Sequence, residues 1–265
     1  MINMYGIVCS AEAIANKFVH QLTASETKFN KYLVRLGEQA PMIIDLNSNQ
    51  ILSATFGITY FVNKRKVLQG FARKEDLILD AKYKYAIRRL RCVVPATHFI
   101  VSYKNNSYCV YVKNEKPFFI AALYDEIKQE RTNDVCYSMA LITCPSNKVL
   151  NYHNVPEMPV ILTIGQAMKW LRKDSALSSI TAMLDSYPCD KIDFFSIDQD
   201  KIVNGKLNNK TVLQPLSQSF WQEDDRLRQE ELARKRQHAI DIKNQKIESD
   251  DKAHKERLRK LGLIP

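Results

Sequence analysis

Between residues 91 and 144 the chain runs through RCVVPATHFIVSY, SYCVYVK, KPFFIAALYDE and CYSMALITC. These stretches are rich in β-branched and aromatic side chains. Polar turns at residues 104–106 and 113–115 separate them, a pattern that predicts strands. The run ILSATFGITYF at 51–61 reads the same way, and MINMYGIVCS at the start reads as a first strand. Helical spacing of Ala13, Ile14, Lys17 and Phe18 predicts a short helix over residues 11–20. Further helices are expected over 77–89, 164–173 and 178–185. Residues 150–156 read as a polar loop leading into a short strand at 158–162. Residues 194–197, 202–203 and 212–213 read as short edge strands. Many short strands with few helices indicate an α+β domain built on antiparallel pairing, not a doubly wound sheet.

After Phe220 the pattern changes. Residues 221–260 contain no Pro or Gly and are crowded with charge. From 221 to 265 there are twelve basic and ten acidic residues, a net of +2. Leu227, Leu232, Ile240, Ile247 and Leu258 keep no strict heptad, so a long, charged helix with a thin apolar stripe is expected. The organisation read from the sequence is a domain over 1–219 and a helical extension over 220–265. That extension is either a solvated helix or a docking element for a protein partner.

Length and composition bound the possibilities. A core drawn from about 200 residues can bury enough apolar surface without disulfides or metal. No apolar run approaches the ~18 residues needed to span a bilayer. The first residues lack a basic start followed by an apolar stretch, so a cytoplasmic protein without membrane association is expected. The six cysteines form no C-x-x-C pair, and Cys92, Cys109 and Cys144 sit in strand-like runs where they read as small buried hydrophobes. No metal site and no cofactor are expected. Only seven glycines are present, and none has the spacing of a phosphate-cradling loop, which argues against nucleotide-dependent chemistry.

Charge changes the picture more than composition does. The overall formal charge is +10. Residues 63–91 hold ten basic residues against Glu75, Asp76 and Asp80, a net of +7. Tyr60, Phe61, Phe71, Tyr83 and Tyr85 are interleaved with them. Cations suit phosphates and flat aromatic faces suit unstacked bases, so the band is a candidate surface for single-stranded nucleic acid. A solvated basic face over buried aromatics is the alternative.

Seven segments occur in an order and spacing that resemble one family. They are FARKED (71–76), RCVVPATHF (91–99), PFFIAALYDE (117–126), ALITCPSN (140–147), YHNVPEMPVIL (152–162), MKWL (168–171) and VLQPL (212–216). The chain resembles the SRAP family, the SOS response-associated peptidase-like proteins that process abasic sites in single-stranded DNA. The resemblance implies an antiparallel, barrel-like β core with flanking helices. It also implies a terminal Cys whose amine and thiol together capture an abasic aldehyde as a thiazolidine, with Asn, His and Glu assisting.

The residues carried over are mixed. Tyr5 stands at the family's nucleophile position, Phe71 at the Asn and Val101 at the Glu. Ala72, Arg73, Glu75, Phe99 and His153 match, and Glu157 stands where the family has Arg. Cys9 cannot replace the missing nucleophile, because a thiazolidine needs thiol and free amine on one residue.

Three readings follow. In the first, the domain binds single-stranded or abasic DNA through Arg73, Lys64, Arg65, Lys66, Lys74, Arg88 and Arg89, with the cross-linking chemistry lost. In the second, the α-amine of Met1 and His153 retain a Schiff-base lyase activity. In the third, the domain is a non-catalytic interaction module that uses residues 221–265. For Arg73 an ion pair to Glu75 or Asp76 is the structural alternative.

Overall fold

The computed structural model describes residues 2–18, 23–24, 27–45, 50–62, 64–104, 106–128, 135–203 and 208–216, together with 230, 233–234, 237, 240–243 and 246. The chain divides into two compact units, Met1–Pro215 and Leu216–Pro265. In the second, the described residues from 230 on are helical, and Gln237 Nε2 donates to Asp241 Oδ1 one turn on at 2.9 Å.

The first unit starts with β1 (Ile2–Ser10) and α1 (Ala11–Ala15). There follow β2 (Thr23–Ala24), β3 (Lys28–Val34), β4 (Gln39–Met42), β5 (Gln50–Phe56), β6 (Ile58–Val62), β7 (Arg65–Gln69) and β8 (Phe71–Arg73). Three one-turn helices come next: α2 (Asp76–Leu79), α3 (Ala81–Lys84) and α4 (Ala86–Arg89). The long strands are β9 (Arg91–Ala96), β10 (His98–Tyr103), β11 (Asn106–Val112), β12 (Phe118–Lys128) and β13 (Val135–Pro145). The unit continues with α5 (Lys148–Tyr152), β14 (Glu157–Pro159), β15 (Ile161–Leu162), α6 (Ile164–Leu171), α7 (Leu177–Thr181), β16 (Ile192–Ile197) and α8 (Gln199–Val203).

One sheet has five strands in the order β16-β11-β10-β1-β3, all antiparallel. The other has nine strands around β12 and β13, with β9 on β12 and β8 and β14 on β13. The fold is therefore α+β and mainly antiparallel. The ladders of the described strands form no closed barrel, but Ile43, just after β4, exchanges backbone hydrogen bonds with Val93 of β9 and brings those two strands together, in keeping with a barrel-like core. Three pairings are parallel: β13 with β5, β13 with β8, and β2 with β5. Aromatic contacts join the sheets, with Tyr5 of β1 on Phe56 of β5 and Phe99 of β10 on Phe118 of β12. All six residues of β9 are buried, as expected for a continuous apolar strand covered on both faces. On one side of it lies α6, whose Trp170 Nε1 donates to the Cys92 carbonyl at 2.9 Å. A capping box between Thr163 and Gln166 starts that helix.

Local chemistry explains where the elements depart from the sequence reading. The expected helix over 77–89 is three single turns; Asp80, extended (ψ 124°) with its carboxylate accepting from the Lys82 amide, breaks the first from the second. The first helix ends at Ala15, and Val19 and His20 lie outside the described residues. Residues 148–152 are helical rather than loop, capped by Asn147, whose Oδ1 accepts from the Leu150 amide. Ile202 and Val203 close α8, and residues 210–213 form a 3₁₀ turn, so neither pair is an edge strand. Cys92, Cys109 and Cys144 are buried. No described helix is long and apolar enough to cross a membrane.

The feature that most shapes the site is a detour in the large sheet. β5 and β8 both pair in parallel with β13, through Tyr137–Met139 and Leu141–Thr143 respectively. Between them the chain leaves the sheet and returns as the two-stranded hairpin β6–β7. The departure and return residues, Gly57 and Gly70, still bond to β13: the Gly57 amide donates to Met139 O and the Leu141 amide donates to Gly70 O. Gly57 has φ +115°, and a Cβ there would lie 2.6 Å from Leu68 Cγ. At Gly70 a Cβ would lie 2.7 Å from Leu36 Cδ1. Only glycine admits so sharp an exit beside packed leucines.

Candidate nucleic-acid interface

The site implied by the resemblance is packed with aromatic rings. Tyr5 pairs with Phe99 and Val34 across the small sheet and is fully buried. Its ring meets Phe56 edge-on at 5.3 Å, and Phe56 meets Phe71 edge-on at 5.5 Å. Among the described residues the buried Tyr5 hydroxyl has no hydrogen-bond partner. Burial pushes its pKa well above the ordinary tyrosine value, with Cys92 and Glu38 adding to the shift. It is therefore a neutral phenol with no nucleophilic character. Val101, at the family's Glu position, is buried between β1 and β11 and pairs with Ile2 and Tyr108. Met1 lies outside the described residues.

Beside Tyr5, Gly6 and His98 fit together in a way that the sequence reading missed. A Cβ on Gly6 would lie 2.2 Å from the His98 ring and 2.5 Å from the Tyr32 carbonyl. His98 Nε2 lies 2.8 Å from Tyr32 O, and Nδ1 lies 3.0 Å from Thr97 Oγ1. A carbonyl can only accept, so Nε2 carries the proton; the one Thr97 hydroxyl proton lies between His98 Nδ1 and the Gly6 carbonyl, 3.3 Å from Oγ1. Burial depresses the His98 pKa to about 4, against the opposing pull of the Tyr32 carbonyl. The ring is a neutral brace between β1, β3 and β10.

Next along, the two cations of the FARKED segment are neutralised by carboxylates from distant segments. Arg73 Nε lies 2.7 Å from Glu157 Oε1, and the Thr143 hydroxyl donates to Glu157 Oε2 at 3.4 Å. Lys74 Nζ lies 3.7 Å from Asp185 Oδ1. Register explains the first pair: β8 and β14 both flank β13, Arg73 opposite Thr143 and Glu157 opposite Pro145. Arg73 thus pairs with Glu157 rather than with Glu75 or Asp76. His153 is buried, and its ring packs edge-on against Phe194 at 4.7 Å, Tyr152 at 5.3 Å and Tyr108 at 5.4 Å. Tyr108 and Phe194 belong to the small sheet, so the His153 ring is anchored there. Tyr5 packs on Phe56, which packs on Phe71, and Arg73 stands two residues along β8 from Phe71.

The rest of the basic band is different. Lys64, Arg65 and Lys66 are exposed at the tip of the β6–β7 hairpin, with Lys64 at φ +64°. Arg88 and Arg89 are exposed in the last turn of α4, where cations complement the helix dipole. Among the described residues, none of these five and neither Lys84 has a carboxylate within ion-pair distance. Tyr85, between Lys84 and Arg88, is 66% exposed. Lys82 joins hairpin to helices: its Nζ lies 5.1 Å from the Tyr60 ring centre and 4.7 Å from that of Tyr83. Gln69 Nε2 donates to the Tyr83 hydroxyl at 2.8 Å across the same gap.

Arg91 leaves the band altogether. It is buried and donates to the carbonyls of Trp170, Ile87, Arg88 and Arg172. It is a structural clamp between α4, β9 and α6. Its cue in the sequence was its place at the head of an apolar strand.

Comparison with known proteins agrees with this architecture. Residues 1–204 match the family model described as SOS response associated peptidase (SRAP), and the chain belongs to that family. Membership supports a DNA-damage-related function. No curated protein is a significant match. Among solved structures, a Bacteroides thetaiotaomicron protein is similar at 20% identity and TM-score 0.67, covering 81% of this chain and 99% of its own. A Bordetella bronchiseptica protein is similar at 16% identity and TM-score 0.61, covering 74% and 99%. A phage-related protein from the same organism is similar at 14% identity and TM-score 0.53, covering 74% and 93%. At such identities these structures support the fold.

Proposed function

We propose that the protein binds single-stranded or abasic-site DNA in a DNA-damage setting and lacks the cysteine-dependent cross-linking chemistry of its family. The observation that carries the reading is that the cations of the hairpin tip and of α4 have no carboxylate partner among the described residues, with Tyr60 half-buried and Tyr85 exposed beside them in the chain. Phosphates require such cations, and unpaired bases require exposed aromatic faces. The lost chemistry rests on Tyr5, whose ring is packed and whose hydroxyl stays protonated, and on Val101, which can neither accept nor donate a proton.

A fluorescence-anisotropy titration of labelled single-stranded DNA over a range of salt tests the first part. Affinity falling steeply with salt supports it, and absence of binding at low salt overturns it. A denaturing gel with an abasic oligonucleotide tests the second. No covalent adduct and no strand cleavage are expected, with or without borohydride. A trapped adduct would restore the amine of Met1 as a nucleophile.

A further inference from the structure

Where the hairpin leaves the sheet, a cleft of about 450 Å³ lies between its Thr59–Leu68 side and strands β5 and β13. The size falls within the usual range for small-ligand sites, roughly 300–1,000 Å³. Its lining is of three kinds. Leu68 and Ile127 supply apolar wall; Thr55, Thr59 and Ser138 supply hydroxyls; Lys66 supplies a cation. No carboxylate lines it among the described residues. Ile127 is 55% exposed at the rim, an apolar side chain left facing water. Lys66 belongs both to this cleft and to the basic hairpin tip, so a strand tracking the tip reaches the cleft mouth.

We propose that the cleft receives one nucleotide of a bound strand. The base lies against Leu68 and Ile127, the hydroxyls meet its polar edge, and its phosphate lies toward Lys66. Apolar wall, neutral hydroxyls and one cation match a nucleotide's flat base, polar edge and single charge. The proposal rests on the strand-binding reading and adds a location to it.

Cys136 also lines the cleft and is exposed, so its alkylation reports occupancy. A Cys189→Ser background removes the other exposed thiol, and burial pushes the half-buried Cys9 thiol up to about 11, which slows its reaction. Saturating oligothymidylate is expected to slow Cys136 alkylation roughly ten-fold, because only an accessible thiolate reacts. Thymidine monophosphate at the same nucleotide concentration is expected to give little protection. Ile127→Gln, at an exposed position, is expected to weaken oligonucleotide binding roughly ten-fold, the scale of losing one stacked base.

Anisotropy shows whether the oligonucleotide binds at all. If it binds while Cys136 reacts at an unchanged rate and Ile127→Gln binds as the parent does, the cleft inference is overturned and the strand-binding reading stands. If the mononucleotide protects as well as the oligonucleotide, the site is for free nucleotide and the inference is likewise overturned. If no oligonucleotide binds at any salt, both readings fall together.

Discussion

Two stretches of the same basic band have opposite fates. At residues 73–74 the cations are met by Glu157 and Asp185, beside the packed rings of Tyr5, Phe56 and Phe71. At residues 64–66 and 88–89 the cations stand on a hairpin and a one-turn helix, with Tyr60 half-buried and Tyr85 exposed beside them in the chain. Stability does not explain the difference. Arg73 is largely exposed, and exposed ion pairs contribute only about 0–1 kcal/mol. Their effect is on the local field: a carboxylate already fills the space where a phosphate would sit. The region expected to carry the family chemistry is thus closed twice, by aromatic packing and by internal neutralisation. The region toward the hairpin is left open.

The contrast can be broken most forcefully at the His98 brace on the closed side. His98 is neutral in the folded protein, with a pKa of about 4 against an ordinary 6.5. The unfolded chain binds the extra proton first as pH falls, so stability drops between pH 6.5 and 4 and levels off below. The component amounts to about 3 kcal/mol in full. Denaturant midpoints across that window should show a shallower fall in His98→Gln than in the parent. Equal slopes would mean that the brace does not carry the proton linkage.

An effect of comparable size is expected on the open side. Replacing Lys64, Arg65 and Lys66 together by Ala should weaken single-stranded DNA binding about a hundred-fold near 0.1 M salt. It should also flatten the salt slope by about 2, from three lost phosphate contacts. Anisotropy against salt reads both quantities. An unchanged slope would move the strand off the hairpin and dissolve the contrast.

Smaller changes sharpen it. Tyr5→Phe removes a buried hydroxyl that has no partner among the described residues while keeping the ring on Phe56. It should stabilise the protein by about 1 kcal/mol in a chemical melt. Destabilisation would mean that the hydroxyl does work the packing does not reveal. The smallest effect is expected from Glu157→Gln, which frees Arg73. One additional phosphate contact should raise affinity about five-fold near 0.1 M salt. An unchanged affinity would show that the strand never reaches β8, which makes the division between the two regions sharper still.

How much of this could be read from the chain follows the range of each interaction. The strands at 91–103, 107–113, 116–126 and 136–144 were legible because their alternation and β-branching are local. So was the burial of Cys92, Cys109 and Cys144. The break at Asp80, which separates α2 from α3, depends on a single side chain competing for a backbone amide, and periodicity does not register it. Ile202 and Val203 looked like strand because β-branched residues favour it, yet they finish a helix in which Ile202 is buried beneath the small sheet. The candidate site was legible only as a set of residue types. Arg91 counted toward the band, although four backbone carbonyls hold it inside the protein.

The sequence alone determined that the chain is a strand-rich α+β protein of one recognisable family. It determined that Tyr5, Phe71 and Val101 stand where relatives carry reactive groups, and that positive charge gathers between residues 63 and 91. Those properties are sums over neighbours along the chain. Only the tertiary structure decided which of those charges are already satisfied, because Glu157 and Asp185 reach Arg73 and Lys74 from far along the chain. It also decided that Tyr5 fills its site and that Gly57 and Gly70 release a hairpin whose cations meet no carboxylate among the described residues. Electrostatic pairing and van der Waals packing act over a few ångströms of space, and separation in sequence does not report that distance.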